Sequence, residues 1–98
     1  MTRQELIIQS ERYIRQLLTA HIPASAGVYL YGSRARHVNR WNSDYDLWVD
    51  GDLSPATLSR LAEELEESFV PFKVDIVTTP QLQGRFAEQV KQEAKPWM

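Results

Sequence analysis

Ninety-eight residues suffice for one domain with one modest core, and 43% hydrophobic with 24% charged residues is the balance of an ordinary globular chain. A formal net charge of −2 argues against nucleic acid as a bulk partner, because phosphate backbones usually demand a net basic face. The absence of cysteine excludes a disulfide framework and a thiolate metal site, which fits a reducing cytoplasm. No apolar run approaches the ~20 residues of a membrane span, and the N-terminus opens an amphipathic pattern instead of a signal-peptide core.

In chain order, Thr2 and Glu5 have capping-box spacing. Leu6, Ile7, Ile14, Leu17 and Leu18 then recur at helical intervals, which predicts a helix over 3–20 ended near Pro23. Residues 24–27 read as a loop. Val28-Tyr29-Leu30-Tyr31 is β-branched and aromatic and too short for a helix, so it reads as a strand stopped by Gly32. Ser33 to Val38 reads as a short helix, 39–43 as a polar loop, and Asp44 to Asp50 as a second strand broken by Gly51-Asp52. Ser54 with Pro55 behind it is a strong helix start. Leu58, Leu61, Ala62, Leu65 and Phe69 form the apolar stripe that follows. Glu63, Glu64, Glu66 and Glu67 form its solvated face, and Pro71 is the stop. Phe72 to Val77 reads as a third strand. A last helix is expected over 80–94, with Leu82, Phe86 and Val90 inward, and Pro96-Trp97-Met98 packing back on the domain or binding something. The pattern predicts one domain over 1–98, an α+β (or α/β) sheet flanked by helices.

The residues with chemistry cluster around the second strand. Strand side chains alternate faces, so Asp44 and Asp46 share one face with Trp48 and Asp50, while Tyr45, Leu47 and Val49 enter the core. A lone D-x-D is commonly just an exposed strand end. Asp75, however, sits in the otherwise apolar Val74-Asp75-Ile76-Val77 and needs a partner: Lys73, an arginine or a cation. If its strand neighbours that of Asp46, three carboxylates converge, a donor set suited to Mg²⁺. Gly32 permits backbone geometry closed to other residues and lets main-chain N–H groups approach an anion. Ser33 adds a hydroxyl, a following helical turn adds free N–H groups, and Arg34 and Arg36 add charge for a polyphosphate. Other conspicuous side chains are less informative. Trp41 and Trp48 pack more commonly than they stack on a base. His21 and His37 are not spaced as a metal pair. Of Tyr29 and Tyr31, one is expected in the core and one near the site.

Gly32, Ser33, Ala35 and Arg36, then Ser43-Asp44-Tyr45-Asp46-Leu47 with its D-x-D twelve residues after the glycine, then Asp75, together resemble the signatures of the nucleotidyltransferase superfamily typified by DNA polymerase beta. Within it the chain is most similar to the minimal nucleotidyltransferases, the MNT domains. The resemblance spans about residues 28–77. It departs at His37, where many relatives carry glycine, and at Trp41-Asn42, where proline or glycine is usual. The resemblance implies a mixed, mostly antiparallel, palm-like sheet of three or more strands. It implies transfer of a nucleoside monophosphate, AMP from ATP, to a hydroxyl, with pyrophosphate leaving. Asp44 and Asp46 would hold Mg²⁺ or Mn²⁺, Asp75 would join the metal that activates the hydroxyl, and Ser33 with the Gly32 backbone would hold the β and γ phosphates. It also implies an antitoxin of the MntA type, with a helical HEPN toxin as partner, a homo- or hetero-oligomer, and in some cases addition of AMP to a toxin tyrosine. Two alternatives stand beside it: an antitoxin that neutralises its partner by contact alone, and transfer to a small molecule such as an aminoglycoside, which the lack of a second domain disfavours.

Overall fold

A computed structural model describes residues 1–98. The order is α1 (Arg3–His21), β1 (Gly27–Tyr31), β2 (Tyr45–Asp50), α2 (Pro55–Glu66), β3 (Val74–Thr78), a single 3-10 turn (Thr79–Gln81), α3 (Gly84–Glu93) and β4 (Lys95–Pro96). The expected α1 cap is present: the Thr2 hydroxyl accepts the Glu5 N–H at 3.1 Å and the Glu5 carboxylate accepts the Thr2 N–H at 3.4 Å. At α2 the Ser54 hydroxyl accepts the Thr57 N–H at 3.1 Å, with Pro55 opening the helix.

The four strands form one mixed sheet in the order β3-β2-β1-β4. β1 pairs antiparallel with both β2 and β4, while β2 and β3 run parallel. This is the mixed, mostly antiparallel sheet that the resemblance implies. One face is the main core, where Ile14 and Leu18 of α1 and Leu61 and Leu65 of α2 pack on Val28, Leu47 and Val49. Alternation places Tyr45 on that face as well, fully buried. The opposite face carries Tyr31 and Trp48, covered by Val90 of α3 and flanked by Tyr29 and Val77. Helices therefore cover both faces, and the carboxylates share their face with α3.

Several boundaries differ from the sequence reading, each for a local reason. Ser33–Val38 is a closed turn and not a helix. The α2 helix ends at Glu66, before Pro71, because the Ser68 hydroxyl donates to the Leu65 carbonyl at 2.6 Å and accepts the Val70 N–H at 3.2 Å. Such side-chain bonds compete with the helical ladder. Phe69 thereby leaves the stripe and is exposed, its ring edge-on to Tyr13, and Ala62 is exposed too. The β3 strand starts at Val74, two residues later than expected. The expected helix over 80–94 is split: the Gln81 side chain accepts the Thr78 N–H at 2.8 Å, which closes the 3-10 turn, and Gly84 at φ +60° redirects the chain into α3. Residues 95–96, expected beyond the last helix, form the two-residue edge strand β4. The C-terminus does pack back: the Trp97 N–H donates to the Val28 carbonyl at 2.9 Å, and the Arg15 guanidinium lies 4.0 Å over the Trp97 ring.

Candidate active site

Three side chains form a row across the sheet. Tyr31, the last residue of β1, is the Cα partner of Asp46 on β2, and Asp46 is the partner of Asp75 on β3. Cross-strand partners project to the same face, and adjacent strands lie about 4.7–4.9 Å apart. Two carboxylates thus stand side by side with a buried phenol next to them. Burial above all, and then Asp75, Asp44 and Glu93, hold the Asp46 carboxyl above its ordinary range, with Lys73 opposing. Burial, Asp46, Asp75 and Glu93 push the Tyr31 phenol up to about 12. Burial leads both shifts, and the neighbouring carboxylates add a shared negative potential to it. Lys73 reaches Asp75 at 3.7 Å but is largely exposed, so this pair neutralises little of it.

Asp44 lies just before β2 and is exposed. Its charge reaches Asp46, yet no three acidic or histidine side chains close around a common point. The register sets Asp46 beside Asp75, while Asp44 is exposed just before β2. Mg²⁺ does not need a protein cage, since it is commonly bound through one or two carboxylates plus substrate phosphates and water. A half-buried, mutually repelling carboxylate pair with a third acid at its rim fits such an ion.

Gly32 ends β1 against this row. Its φ is +77°, and a Cβ there would collide with the Asp46 carboxylate. Only glycine lets the backbone pass this close to the acid. The chain then makes one turn. Arg36 N–H donates to the Gly32 carbonyl at 3.1 Å, His37 N–H to Arg34 at 3.3 Å and Val38 N–H to Ser33 at 3.1 Å. The last two bonds, with His37 at φ +59°, make a Schellman closure. That explains the departure noted at His37: the left-handed position favours glycine, and here a histidine occupies it.

The turn separates its two arginines. Arg36 is exposed on the outer side, its Nε 3.2 Å from the Glu93 carboxylate. Arg34 goes the other way and is buried. It donates to the Ser43 carbonyl at 2.8 and 3.1 Å and to the Trp41 carbonyl at 2.9 Å, and lies 3.9 Å over the Tyr45 ring. The sequence places Arg34 against phosphate. The structure instead puts it on the Tyr45 side of the sheet, fastening the loop that leads into Asp44. Ser33 is half-buried at the start of the turn. Glu93 is absent from the sequence reading, although it follows the buried Val90 at i+3 and so puts an acid on the inward side of α3; Phe86, expected inward, is exposed instead, its ring edge-on to Tyr31. Trp48 packs and does not face outward: it stacks on Tyr29 with centroids 4.9 Å apart and donates to Thr79. His21 makes a surface pair with Glu64.

The chain matches the family described as Polymerase beta, Nucleotidyltransferase over residues 13–96. It belongs to that family and is a nucleotidyltransferase. No curated protein matches it. Its fold is similar to a solved structure named as a minimal nucleotidyltransferase, with 32% identity, a TM-score of 0.68, and coverage of 98% of this chain and 96% of that one. It is also similar to a chain of a toxin–antitoxin complex with AMP-PNP, at 29% identity and TM-score 0.72, covering 90% of this chain and 72% of that one. A chain of a complex between a tri-AMPylated Shewanella oneidensis HEPN toxin and an MNT antitoxin is 25% identical, with TM-score 0.68 and coverage of 99% and 72%. No helix is long and apolar enough to cross a membrane.

Proposed function

We propose that this chain transfers AMP from ATP to a tyrosine hydroxyl of a helical HEPN-type partner and so acts as a cytoplasmic antitoxin. The observation that carries the reading is the Asp46–Asp75 pair, set one rung from a glycine turn that no side chain would fit. The likeness to an MNT antitoxin chain in complex with an AMPylated HEPN toxin supports the choice of donor and acceptor.

On this reading the Arg36 guanidinium and the main-chain N–H groups at Gly32 and Ser33 hold the β and γ phosphates, with the Ser33 hydroxyl as a further donor. These groups fix the leaving pyrophosphate and neutralise charge that grows on it. The α-phosphate lies over Asp44 and Asp46. Asp75, on the far side of Asp46 from the turn, meets the incoming tyrosine hydroxyl and accepts its proton. The tyrosine oxygen bonds to the α-phosphorus, the α–β bridging P–O bond breaks, and pyrophosphate departs. Asp44, Asp46 and Asp75 would hold Mg²⁺ or Mn²⁺, which supplies neutralisation of phosphate charge and acidification of the acceptor hydroxyl. Alignment of the reacting groups carries much of the rate.

The test is the adduct itself. Incubation of the cognate partner with ATP, Mg²⁺ and this chain, followed by peptide mass spectrometry, should locate AMP on tyrosine. An adduct on another residue type would move the acceptor. A partner neutralised with no adduct would leave contact alone as the mode of action.

A further inference from the structure

Glu93 sits where local rules disfavour it. It is the last residue of α3, where the negative end of the helix dipole repels an acid. It also lies on the inward stripe, with only 12% of its side chain exposed, whereas Glu88 on the same helix faces solvent. A carboxylate so placed needs compensation, and two groups supply it. The Gly32 N–H donates to one oxygen at 3.2 Å, and the Arg36 Nε lies 3.2 Å from the other. These are the same two donors that the proposed function assigns to the triphosphate. One N–H cannot serve two anions at full strength, and Arg36, about half exposed, is reachable from solvent.

We propose that Glu93 is an internal counter-anion of the phosphate cradle: its carboxylate occupies the Gly32 N–H and the Arg36 guanidinium in the free protein, and a nucleoside triphosphate displaces it. The inference rests on the reading of Gly32 and Arg36 as phosphate ligands. Its consequence is that Glu93 weakens nucleotide binding in exchange for keeping the empty turn ordered and charge-balanced. A triphosphate, with several charges against one, outcompetes it. A nucleoside without phosphate does not engage it at all.

The experiment is calorimetric titration of ATP and of adenosine, with Mg²⁺, into wild type, Glu93→Gln, Arg36→Ala and the double variant. Glutamine keeps an oxygen for the Gly32 N–H but removes the charge that holds Arg36. The expected result is ATP binding about three- to tenfold tighter in Glu93→Gln, as for loss of a competing charged pair. Adenosine affinity should not change, and the gain should vanish in the Arg36→Ala background. Equal or weaker ATP binding in Glu93→Gln, with Arg36→Ala still weakening the wild type, overturns the role of Glu93 and leaves the phosphate cradle standing. Should Arg36→Ala not affect ATP binding at all, the cradle itself is misassigned and this inference falls with it. Wild type alone gives a second check that no folding defect can confuse: ATP should shift both the Gly32 amide and the Glu93 carboxyl carbon in NMR spectra. A Glu93 carboxyl resonance that ignores saturating ATP contradicts displacement.

Discussion

Asp46 and Asp75 are direct partners across the parallel β2–β3 ladder, acid beside acid on the face that α3 half covers. Like charges directly opposite one another destabilise a sheet; burial first, and then Asp75, raise the Asp46 carboxyl. Asp46→Asn should therefore stabilise the protein free of metal and nucleotide while abolishing transfer. The expected gain is on the order of 0.5–1 kcal/mol, a few degrees in Tm for a domain of this size. An acid whose folded pKa is raised destabilises the fold once it ionises. The deficit opens as pH rises through the unfolded carboxylate range and is complete above the folded value. The advantage of Asp46→Asn should accordingly be largest near neutral pH and shrink on acidification. Thermal melts at several pH values check this; a variant no more stable than wild type at neutral pH would count against it.

Gly32→Ala combines a left-handed backbone with a collision against the Asp46 carboxylate. The expected loss is about 1–3 kcal/mol of stability, with ATP affinity falling in the fraction that stays folded. Urea unfolding and calorimetry measure the two effects separately.

His37→Gly should act in the opposite direction. The left-handed position costs a side chain about 1–2 kcal/mol that glycine avoids. The imidazole meets only the Lys95 ammonium, at 3.3 Å and exposed to solvent, so its removal sacrifices little. A higher urea midpoint with unchanged slope is expected, and a lower midpoint would show that the pairing with Lys95 outweighs the backbone strain.

The two arginines of the turn should separate cleanly. Arg34→Ala removes a buried guanidinium that ties down the Trp41 and Ser43 carbonyls. It should cost about 1–3 kcal/mol of stability. Arg36→Ala removes the guanidinium that balances the largely buried Glu93 carboxylate, from a side chain that is itself half exposed, so it should cost less stability than Arg34→Ala and should weaken ATP binding. The reverse pattern would exchange their assigned roles.

Much of this is legible in the sequence. Period-two alternation separates the face of Asp46 and Trp48 from the core face of Tyr45, Leu47 and Val49, and the caps at Thr2 and Ser54 are visible in residue type and spacing. Which strand lies beside which is not legible, because alternation reports faces and not neighbours; the pairing of Asp46 with Asp75 needs the parallel register. Arg34 misleads because it adjoins the glycine turn. Residues two apart on a helical turn are about 200° apart around its axis, so Arg34 and Arg36 cannot both face one ligand. Glu93 carries a signal in its i+3 spacing from the buried Val90, but its place at a helix end makes it look solvated. β4 is hidden by its length and its proline, which an edge strand tolerates.

The most direct measurement compares Asp75→Asn with wild type on binding and transfer together. Asp75 lies across Asp46 from the Gly32 turn, so its loss should leave ATP affinity within about twofold of wild type, as expected when the acceptor-side group alone is removed. Intact mass spectrometry of the cognate partner, with ATP and Mg²⁺, should show one or more AMP additions with wild type and none with Asp75→Asn. AMP addition at the wild-type rate by Asp75→Asn, or a partner whose mass never changes while both proteins neutralise it equally, would contradict the account.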